Sequence, residues 1–380
     1  MLHLVKTPLF SYLIEYFNDE LGFRESKIIS MNKSGIKDIE KYKKGGVKTK
    51  FVKELEKKFN LKHFIINGSL EKIYPLHVQI ELTDNCNLHC DYCYRNSEYK
   101  NPLSKYINFK GLKKFLLENK KKNLLEIGVT GGEPTLHPEF IKIMKFLLKN
   151  FELVELVTNG TNFEIILDLL KNIGLEQKEK LNLSVSFNQW FRELKEFEKG
   201  NHYLSKTLKR ITKKHAVRVI LTDYLYNEDK AKRVKKLLKD IGVKDIDLSF
   251  VSPIGRGKNK INELEYISKF KKDKKSSFTP NPINCGLIFK HTTIDPEGNL
   301  RPCALFPLDF KIGSIRNFVL DKYKILAVLP SPNKKICKSC KYFDYCIGCI
   351  YKGLSNSNKN CNYKRFLKDN FNLNSLLHIN

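Results

Sequence analysis

Cys86, Cys90 and Cys93 lie in one short stretch, with three residues between the first pair and two between the second, directly after the apolar alternation from Leu76 to Leu82. Thiols so spaced can turn to one side of a single loop. Three thiolates can hold a cubane iron–sulfur cluster and leave its fourth iron without a protein ligand, where a small molecule can coordinate. A zinc loop usually supplies its ligands as pairs that reach four, which a lone third cysteine fits poorly. A disulfide needs an oxidising compartment, which nothing in the sequence indicates. The loop therefore reads as an open iron–sulfur site.

A second group is Thr130-Gly131-Gly132-Glu133-Pro134. Paired glycines let backbone approach a ligand closely, and the carboxylate can accept from an ammonium group. Thr158-Asn159-Gly160-Thr161 reads as a turn in which Asn-Gly supplies positive φ. Ser184 and Ser186 share one strand face by the period of two, just before Asn188 and Trp190. Trp190 reads as a packed anchor rather than a cavity wall. The other cysteines are Cys285, Cys303, Cys337, Cys340, Cys346, Cys349 and Cys361. The turn residues Asp295 to Asn299 predict a short hairpin that brings Cys303 toward Cys285. This second set divides naturally as four plus three.

Composition bounds the class. The chain has 380 residues, 41% hydrophobic and 29% charged, which describes a globular protein of about two to three structural units. No run approaches the roughly twenty apolar residues of a membrane span, and Glu15, Asp19 and Glu20 stand where a signal peptide needs an apolar core. A cytoplasmic protein without a membrane partner is expected, and its 10 cysteines then point to metal rather than disulfides. The net charge of +28 invites a nucleic-acid partner. However, the lysines are scattered along amphipathic segments such as Lys230 to Lys239, as on a solvated helix face. Nucleic acid is not expected as the partner; attraction of an acidic peptide is the milder reading.

These residues need a scaffold. Apolar strand-like runs at His77–Leu82, Leu124–Val129, Leu153–Val157, Leu181–Phe187, Val217–Leu221 and Asp245–Val251 alternate with helical patterns at Phe109–Lys120, Pro138–Lys149, Asn162–Asn172 and Asp229–Asp240. This predicts an α/β fold of strand–helix units forming a partial barrel, with ligands at the carboxyl ends of the strands. Ahead of it, residues 1–75 form an extension with a helix over Val47 to Phe59 that presents Val47, Phe51, Val52, Leu55 and Phe59 on one face after the break at Gly45-Gly46. Behind it, Lys271 to Ser277 reads as a linker.

The cysteine spacing, with Tyr92 just before the last cysteine, resembles the cluster loop of the radical S-adenosylmethionine (radical SAM) enzymes. The resemblance implies a partial (β/α)6 radical SAM barrel over 76–270, a small α+β N-terminal extension and an irregular cysteine-rich C-terminal SPASM domain over 276–380. It implies a 4Fe-4S cluster on Cys86, Cys90 and Cys93 whose open iron binds SAM, and one-electron cleavage to a 5'-deoxyadenosyl radical. Gly131, Gly132, Glu133 and Pro134 match the element that contacts the SAM amino group in that family. Ser186, with Asn188 where relatives commonly have Asp, matches the ribose contact. Ile254-Gly255-Arg256-Gly257, after Ser252-Pro253, resembles the turn near the SAM adenosine. The extension resembles segments that in peptide-modifying relatives grip a precursor's leader, and a plain capping extension fits equally well.

The C-terminal cysteines, with four residues between Gly298 and Cys303, resemble the SPASM pattern of one or two auxiliary 4Fe-4S clusters. By that pattern Cys337, Cys340, Cys346 and Cys361 form one site, and Cys285, Cys303 and Cys349 the other. Ile347-Gly348 gives two residues where relatives often have three, so this division stays open. The rival is a zinc ribbon on Cys337, Cys340, Cys346 and Cys349, which leaves Cys285, Cys303 and Cys361 without a task. Using every cysteine as a ligand leaves no thiol to quench a substrate radical, which favours oxidative chemistry such as a thioether or carbon–carbon crosslink in a precursor peptide or protein side chain. A flavodoxin or ferredoxin would then supply electrons. Formylglycine formation, as in sulfatase maturation, is the alternative within this chemistry. A non-catalytic electron-transfer or metal-binding protein with nucleic-acid affinity is the alternative outside it. No acid/base residue stands out.

Overall fold

The computed structural model describes residues 2–6, 11–19, 22–68, 75, 77–98, 103–120, 124–249, 251, 254–260, 292–306, 308–316, 334–337, 362, 365 and 369. The first unit contains β1 (Leu2–Lys6), β2 (Ser11–Asp19), β3 (Gly22–Met31), α1 (Lys33–Gly45), α2 (Lys50–Glu56) and β4 (Phe64–Gly68). Its sheet runs β3-β2-β1-β4, with β1 parallel to β4 and the other pairs antiparallel. Both helices are capped by their own sequence: Asn32 accepts from the Gly35 amide and Thr49 from the Val52 amide. Leu4, Leu13, Ile36, Ile39, Val52, Leu55 and Phe59 form its core. The expected α+β extension is present, but its second helix is shorter than the sequence pattern suggests. Val47 lies before it and Phe51 on its open side, 54% and 37% exposed, so neither joins the buried face.

The second unit is the expected strand–helix series. It comprises β5 (His77–Glu81), α3 (Phe109–Lys120), β6 (Glu126–Thr130), α4 (Phe140–Asn150), β7 (Leu153–Thr158), α5 (Phe163–Lys171), α6 (Leu175–Glu179), β8 (Leu181–Asn188), α7 (Trp190–Glu198), α8 (Tyr203–Ile211), β9 (Val217–Thr222), α9 (Glu228–Asp240) and β10 (Asp245–Ser249). The six strands pair in parallel in chain order. All six predicted strands and four predicted helices are found; α6, α7 and α8 are additions. They escape a periodicity reading because each is short and two of them follow one strand directly.

Alternation explains the layering. Val78, Ile80, Ile127, Val129, Val154, Leu156, Leu183, Val185, Val219 and Leu221 enter one continuous core with the helices. The other face is polar: Arg218 Nε lies 3.0 Å from Asp245 and 3.5 Å from Asp247, and Ser184 donates to Glu155 at 3.2 Å. Trp190 is a packed anchor as expected, 1% exposed beside Phe191 and Tyr226. Among the described residues no helix is long and apolar enough to cross a membrane.

The hairpin predicted before Cys303 is present as β11 (Thr292–Ile294) and β12 (Asn299–Arg301), followed by β13 (Gly313–Ser314). Asp295 Oδ1 accepts from the amides of Glu297 and Asn299, and Gly298 takes φ of 82°, which closes the turn. One feature has no counterpart in the sequence pattern. β11 pairs in parallel with β5, so the hairpin extends the barrel sheet rather than beginning a separate layer. The last short helix is α10 (Lys334–Cys337). Cys285, Cys340, Cys346, Cys349, Cys361, Ser252-Pro253 and the expected linker Lys271 to Ser277 lie outside the described residues.

The packing makes a direct prediction. Trp190→Ala should lower stability by about 3–5 kcal/mol in urea unfolding, while Leu175→Ala at an exposed site should stay within about 0.5 kcal/mol.

Candidate cofactor and active site

The cysteine loop, residues 86–93, follows β5 and has little regular structure of its own, so its shape depends on its neighbours. The Gly-Gly-Glu turn after β6 is laid on the segment that enters it: the Gly132 amide donates to Thr83 O at 2.7 Å and the Glu133 amide to Asn85 O at 2.8 Å. A Cβ on Gly131 would stand 2.5 Å from the Thr83 carbonyl, and one on Gly132 would overlap the Asn85 carbonyl. Gly131 also takes φ of 148°. The sequence reading gave these glycines to close approach of a ligand. Among the described residues they also approach closely the backbone that leads into the cysteine loop, at Thr83 and Asn85.

Glu133 is likewise engaged by neighbouring protein groups. Its carboxylate is fully buried. Oε1 accepts from the Thr135 amide and hydroxyl and from the Thr158 hydroxyl, and Oε2 accepts from the Asn159 amide at 2.7 Å. Burial pushes its pKa up, and the bonds from Asn159, Thr135 and Thr158 act against that rise. Most of its acceptor capacity is thus spent tying the β6 turn to the β7 turn. Gly160 has the expected positive φ, 73°. Asn159 does more than form a turn: its Nδ2 donates to Asn87 Oδ1 at 2.9 Å and approaches Cys86 Sγ at 3.9 Å.

Tyr92 closes the loop from the far side. Its hydroxyl donates to Thr222 O at 2.5 Å and accepts from the Gln189 amide at 2.6 Å, joining the loop to the ends of β8 and β9. Burial pushes its pKa well up. Asp91 is held by a bidentate Arg192 at 3.0 and 3.2 Å and by the Tyr224 hydroxyl. Burial works against its charge, but the Arg192 bonds prevail and hold its pKa below the usual carboxylate range. Arg192 reaches the buried Asp223 as well. Arg256 donates Nε to Cys90 O at 2.8 Å and Nη2 to Ser97 O at 2.9 Å, and its amide donates to Cys93 O. The turn expected near a bound adenosine therefore grips the cysteine loop itself. Ser186 and Asn188, at the end of β8, are half-buried and have no side-chain hydrogen-bond partner among the described residues.

The three thiols occupy one electrostatic neighbourhood. Burial, then its neighbours Cys93 and Cys86, push Cys90 up to about 12; burial, with Glu133 and Cys93, pushes Cys86 up to about 11. Only Arg256 among Cys90's named partners favours its thiolate. Such a site disfavours bare thiolates and calls for metal charge to compensate them. Among the described residues no three His, Cys, Asp or Glu side chains close on a single ion. A cubane takes each thiolate on a different iron, so three thiols on one loop suit a cluster. Sequence reasoning missed Asn87, Asp91, Arg192, Thr222 and Asp223 because their partners lie far away in the chain; only Asn159 carried a signal, in its turn.

Gly132→Ala should block closure of the β6 turn on the loop and lower both thermal stability and iron retention after reconstitution. Tyr92→Phe should cost about 1–3 kcal/mol in urea unfolding, since it strands the Gln189 amide and Thr222 carbonyl. A pH effect follows from His137 and His215, whose pKa values burial pushes below the ordinary 6.5. His137 accepts from the Glu139 amide through Nδ1 and faces Ile107 O through Nε2, an arrangement that suits the neutral ring. The unfolded chain therefore binds more protons, so stability falls as pH drops below about 6.5. His137→Gln should flatten that fall in denaturation midpoints measured from pH 7.5 to 5.5.

Residues 80–260 match the Radical SAM superfamily. The chain is 29% identical over 328 residues to the antilisterial bacteriocin subtilosin biosynthesis protein AlbA of Bacillus subtilis, covering 77% of this chain and 71% of that one. It is 27% identical over 213 residues to GTP 3',8-cyclase of Clostridium perfringens, covering 52% and 63%. Its fold is similar to Streptococcus suis SuiB bound to precursor peptide SuiA, with a TM-score of 0.59 at 14% identity over 90% of this chain and 95% of that one. The loop, the Gly-Gly-Glu-Pro turn and the Arg256 clamp all fall in the matched segment, and residues 80–260 form a radical SAM domain, of the superfamily whose cofactors are S-adenosylmethionine and a 4Fe-4S cluster.

Proposed function

We propose that this enzyme modifies a ribosomally made precursor peptide oxidatively, forming a thioether or carbon–carbon crosslink, with Cys86, Cys90 and Cys93 holding the cluster that cleaves SAM. The single observation that carries the reading is the gathering of three thiols, two of them buried, with the Gly-Gly-Glu turn and with Ser186 and Asn188, whose side chains have no hydrogen-bond partner among the described residues, at the carboxyl ends of β5, β6 and β8. Support for a peptide comes from the likeness to the bacteriocin biosynthesis protein over most of the chain. When bound, the cluster and SAM supply a 5'-deoxyadenosyl radical that removes a substrate hydrogen atom.

The residues divide the remaining work. The backbone of Gly131 to Glu133 lines the SAM methionyl end, and Ser186 and Asn188 contact the ribose. Tyr92 and Arg256 keep the loop in shape by their hydrogen bonds. The C-terminal cysteines hold one or two auxiliary 4Fe-4S clusters that accept the electron left after hydrogen removal, with Cys303 at the barrel's edge. A flavodoxin or ferredoxin reduces the first cluster. The N-terminal sheet, whose outermost described strand β3 offers an edge, takes the leader by strand addition.

Anaerobic reconstitution should load roughly eight to twelve irons, as two or three cubanes require. Cys90→Ala should abolish formation of 5'-deoxyadenosine, whereas Cys303→Ala should retain some cleavage but yield no modified peptide. Normal cleavage in Cys90→Ala would overturn the site assignment. A zinc-loaded chain with little iron would overturn the cluster chemistry altogether.

A further inference from the structure

Glu81, at the end of β5, is fully buried and receives two guanidiniums on one oxygen: Arg95 Nη1 at 2.6 Å and Arg301 Nη2 at 2.7 Å from Oε2. The Tyr94 hydroxyl donates to Oε1 at 3.2 Å. Arg301 is 1% exposed and uses Nη1 to donate to the carbonyls of Ala304 and Phe306, so it folds the chain around Cys303 as well. Its place is set by register: Thr293 of β11 pairs with Gln79 of β5 on one side and with Arg301 of β12 on the other.

One carboxylate facing two guanidiniums leaves one positive charge in excess. The Nε atoms of both arginines and Nη1 of Arg95 have no hydrogen-bond partner among the described residues, the Arg95 contact being an ion pair without hydrogen-bond alignment. Buried excess charge is costly unless an anion lies nearby. The chain supplies two candidates for that anion. Arg95 stands two residues after Cys93, and Arg301 two residues before Cys303. Thiolate-ligated clusters are anionic, and nearby charge is one of the quantities that set their potentials.

We propose that Arg301 is a positioning residue that docks the β11–β12 hairpin, and with it Cys303, on Glu81 of the barrel, and that its charge raises the potential of the centre Cys303 helps to hold. The inference rests on the reading of Cys303 as an auxiliary-cluster ligand. The Glu81 node then joins the two iron–sulfur regions through one carboxylate, fixing their separation and biasing the electron toward the C-terminal centre.

The test compares the full-length, anaerobically reconstituted wild type with Arg301→Met, Arg301→Lys and Glu81→Gln. Redox titration followed by electron paramagnetic resonance reads each centre, and hydrogen exchange reads the amides of residues 299–301. Arg301→Met should shift the auxiliary potential to more negative values and speed the exchange, with both effects largely restored in Arg301→Lys. Glu81→Gln, which enlarges the positive excess, should shift the potential the opposite way. General damage to the fold would not move two variants in opposite directions. Unchanged potential and unchanged exchange in Arg301→Met would overturn the proposal, as would equal shifts of the same sign in Arg301→Met and Glu81→Gln. Iron confined to the Cys86 loop in the wild type would instead sink the auxiliary-ligand reading, and unaltered exchange in Arg301→Met would separately sink the docking.

Discussion

Three thiols, two buried and one half-buried, on a loop with little secondary structure of its own are the constraint around which this molecule is built. Burial makes Cys86 and Cys90 resist ionisation, and the loop's backbone has few local partners to fix its course. Both problems are met by neighbours distant in sequence. Gly132 and Glu133 donate to the loop's entry, Arg256 grips the carbonyls of its second half, and Tyr92 ties its end to β8 and β9. The parallel sheet is what brings those neighbours together, because every strand of β5 to β10 delivers its following loop to the same end.

Charge is distributed to match. The surface carries much of the +28 excess on helix faces, while the barrel face holds Glu155, Asp245 and Asp247 around Arg218. Near the cysteine loop the partly exposed Asp91 pairs with Arg192 on one side, and the buried Glu81 pairs with Arg95 and Arg301 on the other. Buried pairs of this kind contribute little net stability, but losing one partner is severe. Their value here is geometric, since each fixes one flank of the loop to a different part of the sheet.

Several residues expected beside a ligand also hold other residues. Glu133, by its type and place, reads as an acceptor for an ammonium group, yet its oxygens are taken largely by Thr135, Thr158 and Asn159. Arg256 reads as a neighbour of adenosine, yet its guanidinium binds carbonyls of Cys90 and Ser97. The same carboxylate or guanidinium chemistry serves a ligand or a backbone equally well. Which of the two it meets depends on what the fold sets within about 3 Å.

By itself the sequence determined the cysteine loop, the Gly-Gly-Glu-Pro turn, the six parallel strands and the hairpin before Cys303, because each is written in local spacing, alternation or turn chemistry. It did not determine that Val47 and Phe51 stay exposed, that Tyr92 reaches Thr222, or that β11 pairs with β5 and carries Arg301 to Glu81. Those outcomes are long-range pairings. Local pattern fixes which face of a strand or helix is apolar, but only closure of the sheet decides which buried polar groups meet and share their hydrogen bonds.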